Sequence, residues 1–187
     1  LRKSFNLPFI GMEPAIKPAS LNTKTKSIGV LATAGTFKGR LYIETSQKYA
    51  SDVNVCYQVG EGLVELVEKG MANSKEAEVL LKKYVEPMVD CNIDHLVLGC
   101  THYPFLKPVL IKILPKGIEI IDPAPAVAKQ TSKILQEFNL SNDDTNIPCI
   151  TFFSSGKSDI LNDIVEKDET LSTYKFPKKY YQEIRIC

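Results

Sequence analysis

Cys100, Thr101 and His102 follow directly on the apolar run Leu96-Val97-Leu98-Gly99 and precede Pro104, a residue suited to the first turn of a helix. That pattern puts a thiol at the tip of a buried strand, beside helix-end amides that stabilise a thiolate. Such a group can take a proton as thiolate and return one as thiol, while an imidazole two residues on supplies a proton or orients a charge. The plainer alternative is a small buried cysteine with His102 capping a turn, because unpaired cysteines are among the most buried residue types. Zinc would use the same two side chains but needs at least three protein ligands. His95 lies several residues upstream and the other cysteines are distant in sequence, so no metal is expected. Acyl transfer would require the Cys100 thiol to meet its imidazole base, which Cys-x-His spacing on one short loop does not guarantee.

A second candidate is Ile28-Gly29-Val30-Leu31-Ala32-Thr33-Ala34-Gly35-Thr36, again an apolar strand ending in a small-residue turn before a helix. Free amides and the hydroxyls of Thr33 and Thr36 would suit a small anion there. Neither a P-loop nor a dinucleotide fingerprint fits, since no Gly-Lys-Ser/Thr follows and the glycines at 29, 35 and 39 have the wrong spacing. Taken alone, the two threonines read as turn residue and helix cap. Glu68, near the end of the pattern Gly62–Lys69, reads by itself as a solvated acid, and His95 as a structural residue at a strand start. Cys56 and Cys149 read as core strand positions, while Cys91 and Cys187 carry no signal beyond their thiols.

The elements that must position these residues follow a regular rhythm. Apolar runs at Pro8–Gly11, Ser27–Ala32, Val53–Tyr57, His95–Gly99, Ile118–Ile121 and Cys149–Phe153 alternate with helical patterns. The helical patterns cover Thr36–Ala50, Gly62–Lys69, Lys75–Asp90, a stretch opening near Pro104, Val127–Phe138 and Ser158–Val165. Alternation with helices of this length predicts an α/β fold: an open, mostly parallel sheet with helices on both faces. Continuous apolar cores such as Val-Leu-Ala and Leu-Val-Leu are what strands covered on both faces require. In such a sheet ligands bind at the carboxyl ends of the strands, where both candidate segments lie. The Lys- and Tyr-rich tail Lys175–Arg185 carries no clear period.

Composition narrows the function. With 187 residues, 44% hydrophobic and 24% charged, the chain can bury a core of one domain and part of a second. Subtracting 22 acidic from 23 basic residues leaves +1 with no block of like charge, which argues against nucleic acid or an acidic membrane surface as partner. No apolar stretch approaches the ~18 residues of a membrane helix. Five cysteines, an odd number without a Cys-x-x-Cys pair, make a poor disulfide framework and suggest a reducing cytoplasm. The chain opens Leu1-Arg2-Lys3-Ser4-Phe5, with neither an initiator Met nor a signal-peptide run, and is expected to begin inside a longer protein.

Together these segments resemble the glutamate racemases of the cofactor-independent aspartate/glutamate racemase family. The resemblance is carried by Gly11-Met12-Glu13-Pro14-Ala15-Ile16-Lys17-Pro18-Ala19, by Gly29 to Thr36, by Leu63-Val64-Glu65-Leu66-Val67-Glu68-Lys69-Gly70, and most specifically by Leu96 to Pro104. Ile121-Asp122-Pro123 follows in order, and Phe152-Phe153-Ser154-Ser155-Gly156 adds a weaker match.

The resemblance implies a two-base reaction between two α/β domains, with a cysteine on each face of the α-carbon and no cofactor. Cys100 would be the second cysteine, His102 its acid/base and charge partner, and Glu68 the acid paired with that histidine. Thr101, Thr33 and Thr36 would hold the polar groups of glutamate, with His102 contributing. It further implies a bacterial cytoplasmic protein supplying D-glutamate for peptidoglycan, and it allows a homodimer. Residues 1–9 would be an entry linker, 10–121 the second domain, and 122–187 a returning segment of the first. The family's first cysteine segment, Ala-Cys-Asn-Thr, has no counterpart, so this chain alone is expected to be inactive. The rival readings are an aspartate racemase of the same family and a non-catalytic module that binds a small acid or a protein.

Overall fold

In the computed structural model, which describes residues 3–12, 14–142, 150–155, 158–167 and 179–183, the chain divides into two compact units. The first comprises residues 1–67 and 71–141, and the second 68–70 and 142–187. In the first, the runs singled out above become the two central strands, β1 (Ser27–Ala32) and β3 (His95–Gly99), with β2 (Asn54–Val59) and β4 (Glu119–Ile121) outside them in the order β2-β1-β3-β4. All three pairings are parallel. The expected α/β architecture is present.

Side-chain alternation on the central strands divides the core between the two faces of the sheet. Ile28, Val30 and Ala32 of β1 and Val97 of β3 pack with Ile16 and Ala19 of α1 (Ile16–Asn22), and with Tyr42 of α3 (Arg40–Tyr49). Leu31, Leu96 and Leu98 face the other way, onto Leu63 and Val67 of α4 (Leu63–Glu68), Leu81, Tyr84, Val85 and Met88 of α5 (Lys75–Asp90), and Val109 and Leu110 of α6 (Lys107–Ile113). Both strands are therefore buried from two sides, which is why their sequences are continuously apolar. α5 starts sharply because Ser74 accepts a hydrogen bond from the Ala77 N–H at 3.1 Å.

Several local expectations change. The pattern Thr36–Ala50 is not one helix: it breaks into α2 (Ala34–Phe37) and α3, because Gly39 is extended (φ −70°, ψ 133°) and caps the second piece. Pro8–Gly11 forms no strand. The helix after Cys100 begins as a 3-10 turn over Tyr103–Leu106, and α6 starts only at Lys107, so no α-helix terminus adjoins the thiol. Pro108 explains the break, since its missing N–H interrupts a continuous ladder. α7 (Ala124–Glu137) starts one turn earlier than expected, its Ala124 N–H held by Asp122 at 2.9 Å. The second unit contains β5 (Ile150–Ser154) paired in parallel with β6 (Lys179–Glu183), and α8 (Ser158–Lys167). Cys149 and Cys187, read above as a core strand position and a thiol without signal, lie outside the described residues. Among those residues no helix is long and apolar enough to cross a membrane.

The cysteine reading also changes. Cys56 on β2 and Cys91, just past α5, form a disulfide, with Cα atoms 6.6 Å apart. Their separation of 35 residues hid the contact, because α5 brings its C-terminal end back beside the sheet. Nearby, at the amino ends of the strands, Asp94 ties the α1–β1 loop to β3. It accepts from Thr23 Oγ1 at 2.7 Å, from the Lys24 and Thr25 N–H groups at 2.5 and 3.1 Å, and from His95 Nδ1 at 2.7 Å. Burial alone would raise this carboxyl, but the four hydrogen bonds outweigh it and hold the group well below the usual carboxylate range. His95 is thus a buried structural residue, as its position at the strand start suggested.

Glu78 on α5 faces Lys75, Lys82 and Lys112 at 3.1, 3.0 and 3.1 Å, and the hydrogen bonds from Lys82, Lys75 and Lys112 lower its carboxyl from 4.5 to about 2. As pH falls below 4.5 the unfolded chain binds this proton before the native state does, so the contribution to stability is full at neutral pH and lost toward pH 2. Glu78→Gln also leaves three ammonium groups facing one another. It is expected to lower the melting temperature by about a few degrees at pH 7 and to change it little at pH 2. Equal shifts at both pH values would contradict this assignment.

Candidate active site

From β1 the chain steps to β2 on one side, and from β3 to β4 on the other. The carboxyl ends of β1 and β3 therefore flank the point where connections leave in opposite directions, the usual place for a ligand crevice in an open α/β sheet. β1 releases Thr33 and Thr36 there, and β3 releases Gly99, Cys100 and Thr101. The two tips lie side by side, Ala32 opposite Gly99.

Glycine at 99 is a steric requirement of this junction. A Cβ there would stand 2.7 Å from the Cβ of Ala32, which is itself fully buried. Gly99→Ala must push the strand ends apart and is expected to cost about 1–3 kcal/mol of stability while displacing Cys100. Urea denaturation checks this; an unchanged midpoint would mean that the tips are looser than their register implies.

Hydrogen bonds fix the thiol loop from both sides. Thr36 Oγ1 donates to the Gly99 carbonyl at 3.0 Å, and the Tyr103 N–H donates to the Cys100 carbonyl at 3.1 Å. Because Thr36 spends its one hydroxyl hydrogen on Gly99, the 3.0 Å contact between the two threonine hydroxyls has Thr33 as donor. Both hydroxyls are left with acceptor lone pairs, which suit an ammonium rather than a carboxylate. Cys100 Sγ lies 3.9 Å from His102 Nδ1, and both side chains are partly exposed.

Gly99, Cys100, Thr101 and Thr36 line a cavity of about 250 Å3, with Met12, Pro14, Leu41 and Tyr42 as its apolar wall. This is below the roughly 300–1,000 Å3 of pockets for drug-sized ligands and suits a smaller one, on the scale of an amino acid. Tyr42 is held edge-on against Phe37, with ring centres 5.0 Å apart, and burial raises its hydroxyl above the usual tyrosine value. A larger cavity of about 590 Å3 lies between α1, α3 and α7, but its walls carry no thiol or imidazole.

Four of the six residues singled out in the sequence thus meet around one space: Cys100, Thr101 and Thr36 in its wall, and His102 beside the thiol. Thr33 is not part of that wall, and its hydroxyl lies 3.0 Å from that of Thr36 at the cavity edge of the same turn. Glu68 closes α4 as an exposed residue. The apolar wall was missed; nothing in the pattern of α3 distinguishes Leu41 and Tyr42 from other helix-surface residues. Among the described residues no cluster of three or more His, Cys, Asp or Glu side chains could hold a metal ion.

The model of the Asp/Glu/hydantoin racemase family matches residues 1–131. Glutamate racemase from Pseudomonas syringae pv. tomato is 45% identical over 133 residues, 71% of this chain and 48% of that protein. The one from Herpetosiphon aurantiacus is 40% identical over 156 residues, 83% of this chain and 61% of its own length. The chain thus spans about half the length of the curated relatives it matches. Among solved structures, Escherichia coli glutamate racemase in complex with L-glutamate and the activator UDP-MurNAc-Ala aligns with TM-score 0.77 at 27% identity, covering 97% of this chain and 67% of that one. The RacE1 isoform of glutamate racemase from Bacillus anthracis aligns with TM-score 0.80, also at 27% identity, covering 99% and 67%.

Proposed function

The chain belongs to the Asp/Glu/hydantoin racemase family, and we propose that it supplies one face of a glutamate racemase site in which Cys100 is the base. The observation that carries this reading is the Cys100 thiol in the wall of an amino-acid-sized cavity at the switch point of the sheet. The relatives named as glutamate racemases, and the L-glutamate complex of the E. coli enzyme, support glutamate as the substrate.

In this mechanism the Cys100 thiolate takes the α-proton: the Cα–H bond breaks, an S–H bond forms, and the electron pair spreads into the adjacent carboxylate. A second acid on the opposite face returns a proton to carbon, inverting the centre without a cofactor. In the reverse direction Cys100 delivers the proton. His102, at 3.9 Å from the sulfur, balances its changing charge. The resemblance to the family assigns Glu68 as the acid that pairs with this histidine. The acceptor hydroxyls of Thr33 and Thr36 take the substrate ammonium, and Thr101 donates to a carboxylate.

Cys100 is the one free cysteine among the described residues. By resemblance to the family, whose first cysteine segment has no counterpart here, the opposing thiol is assigned to the part of the relatives that this chain does not span. Residues 10–121 form the lobe carrying Cys100, and 122–187 return to the other lobe. The proposal sets the reaction in the bacterial cytoplasm, whose reducing conditions would hold the Cys56–Cys91 pair open, supplying D-glutamate for peptidoglycan in a form compatible with a homodimer.

Polarimetry on the protein at the full length of its relatives tests the substrate. Turnover of both glutamate enantiomers with aspartate inert supports the reading, and turnover of aspartate alone reassigns the substrate. Inertness toward both leaves a binding module.

A further inference from the structure

We propose that Tyr103 is a positioning residue for Cys100, its hydroxyl anchored in a notch that stays open only because residue 60 is glycine. The inference rests on Cys100 as the working thiol, but its test is read on the thiol and not on the reaction.

Tyr103 follows the Cys100-Thr101-His102 loop and is fully buried. Its backbone N–H holds the Cys100 carbonyl, and at the other end of the residue its hydroxyl donates to the Gly60 carbonyl at 3.1 Å. Gly60 is itself fixed, since its N–H donates to the Ala32 carbonyl at 3.0 Å. One buried side chain thus connects the thiol loop to the ends of β1 and β2, across the strand order from β3. Thr36 pins the carbonyl before Cys100 and Tyr103 the carbonyl of Cys100 itself, so the backbone on both sides of the thiol is held.

The notch is specific. A Cβ at position 60 would stand 2.5 Å from Tyr103 Oη and 2.6 Å from Leu63 Cδ1. Both side chains are fully buried, but Leu63 has other rotamers about two side-chain bonds, whereas the tyrosine hydroxyl lies on the axis of a rigid ring and cannot retreat without moving residue 103. A side chain at 60 would therefore be transmitted along Tyr103 to the Cys100 carbonyl. Burial, and next the charge of Cys100, push the Tyr103 hydroxyl above its usual range, so it stays protonated and remains a donor.

The test is alkylation of Cys100 by iodoacetamide across pH 6 to 10, followed by mass spectrometry of its peptide, in the 187-residue chain and its variants. Tyr103→Phe keeps the ring but leaves the buried Gly60 carbonyl without its donor, and is expected to raise the limiting rate about fivefold or more by local opening of the loop. Gly60→Ala should change it in the same direction. In the double variant Gly60→Ala/Tyr103→Phe the 2.5 Å contact with Oη is gone and a 3.0 Å approach to the ring Cζ remains, which a shift of a few tenths of an ångström relieves, so its rate should approach that of Tyr103→Phe alone instead of compounding.

A lower melting temperature for Tyr103→Phe, with the Cys100 rate and its pH profile within twofold of the parent, would overturn the proposal and leave Tyr103 an ordinary core residue. Compounding effects in the double variant would overturn the notch. Should Gly60→Ala fail to fold, Tyr103→Phe decides alone. If the full-length protein racemises nothing but these rates change as stated, the positioning role stands and the reaction assigned to Cys100 falls.

Discussion

In the protein at the full length of its relatives, serine in place of Cys100 is expected to lower the proposed glutamate racemisation by about 10²- to 10⁴-fold, the usual contribution of a positioned general acid–base group. The effect should fall on kcat, because the residues assigned to hold the substrate, Thr33, Thr36 and Thr101, are untouched. A thiol in a model peptide ionises near 8.5, within reach of neutral pH, whereas a serine hydroxyl does not ionise in that range. The exchange removes the base while preserving shape: Cys100 is partly exposed, and the carbonyls on either side keep their hydrogen bonds from Thr36 and Tyr103. Steady-state rates at saturating glutamate, with a melting curve beside them, check it. A variant within tenfold of the parent, or one whose loss lies in KM, would remove Cys100 from the chemistry.

Reduction of the Cys56–Cys91 disulfide is expected to lower stability by about 3–4 kcal/mol, the chain-entropy effect of opening a loop of this size. The bond joins residues 35 apart in sequence and ties β2 to the end of α5. Its main action is on the unfolded chain, whose freedom it restricts. The urea midpoint should drop on adding reductant, and Cys91→Ser should match the reduced parent and gain nothing from oxidation. An unchanged midpoint would mean that these thiols are unbonded in solution. Because the pair lies away from the β1 and β3 tips, the same reduction should leave alkylation of Cys100 unaltered.

The cysteines also mark how far the sequence could be read. Cys100 was legible because its surroundings are local: an apolar run, a glycine, then His102 and Pro104 within a few residues. Cys56 and Cys91 were not, because their approach depends on where α5 returns relative to β2, which no short-range pattern encodes. The same distinction separates other features. Strand and helix types followed from the period of apolar residues, and the parallel sheet from their alternation. The order β2-β1-β3-β4, which makes the tips of β1 and β3 the switch point, depends on packing between distant segments. The break at Gly39 was hidden because apolar residues keep a helical period through it. Thr33 and Thr36 were identified as a polar pair beside the site, but the destination of the Thr36 hydrogen, the Gly99 carbonyl 63 residues away, needed coordinates. That bond decides that the pair accepts and does not donate. Tyr103 passed as one apolar position among many, since the notch at Gly60 that gives it a role lies 43 residues away.

The most direct test of Cys100 as one of two bases is α-deuterium incorporation into L- and D-glutamate in heavy water. The comparison sets the protein at the full length of its relatives against its Cys100→Ser variant and the 187-residue chain. The account predicts exchange by the full-length protein, its loss in the variant and none from the shorter chain. Exchange that survives Cys100→Ser, or that the 187-residue chain performs unaided, would contradict it.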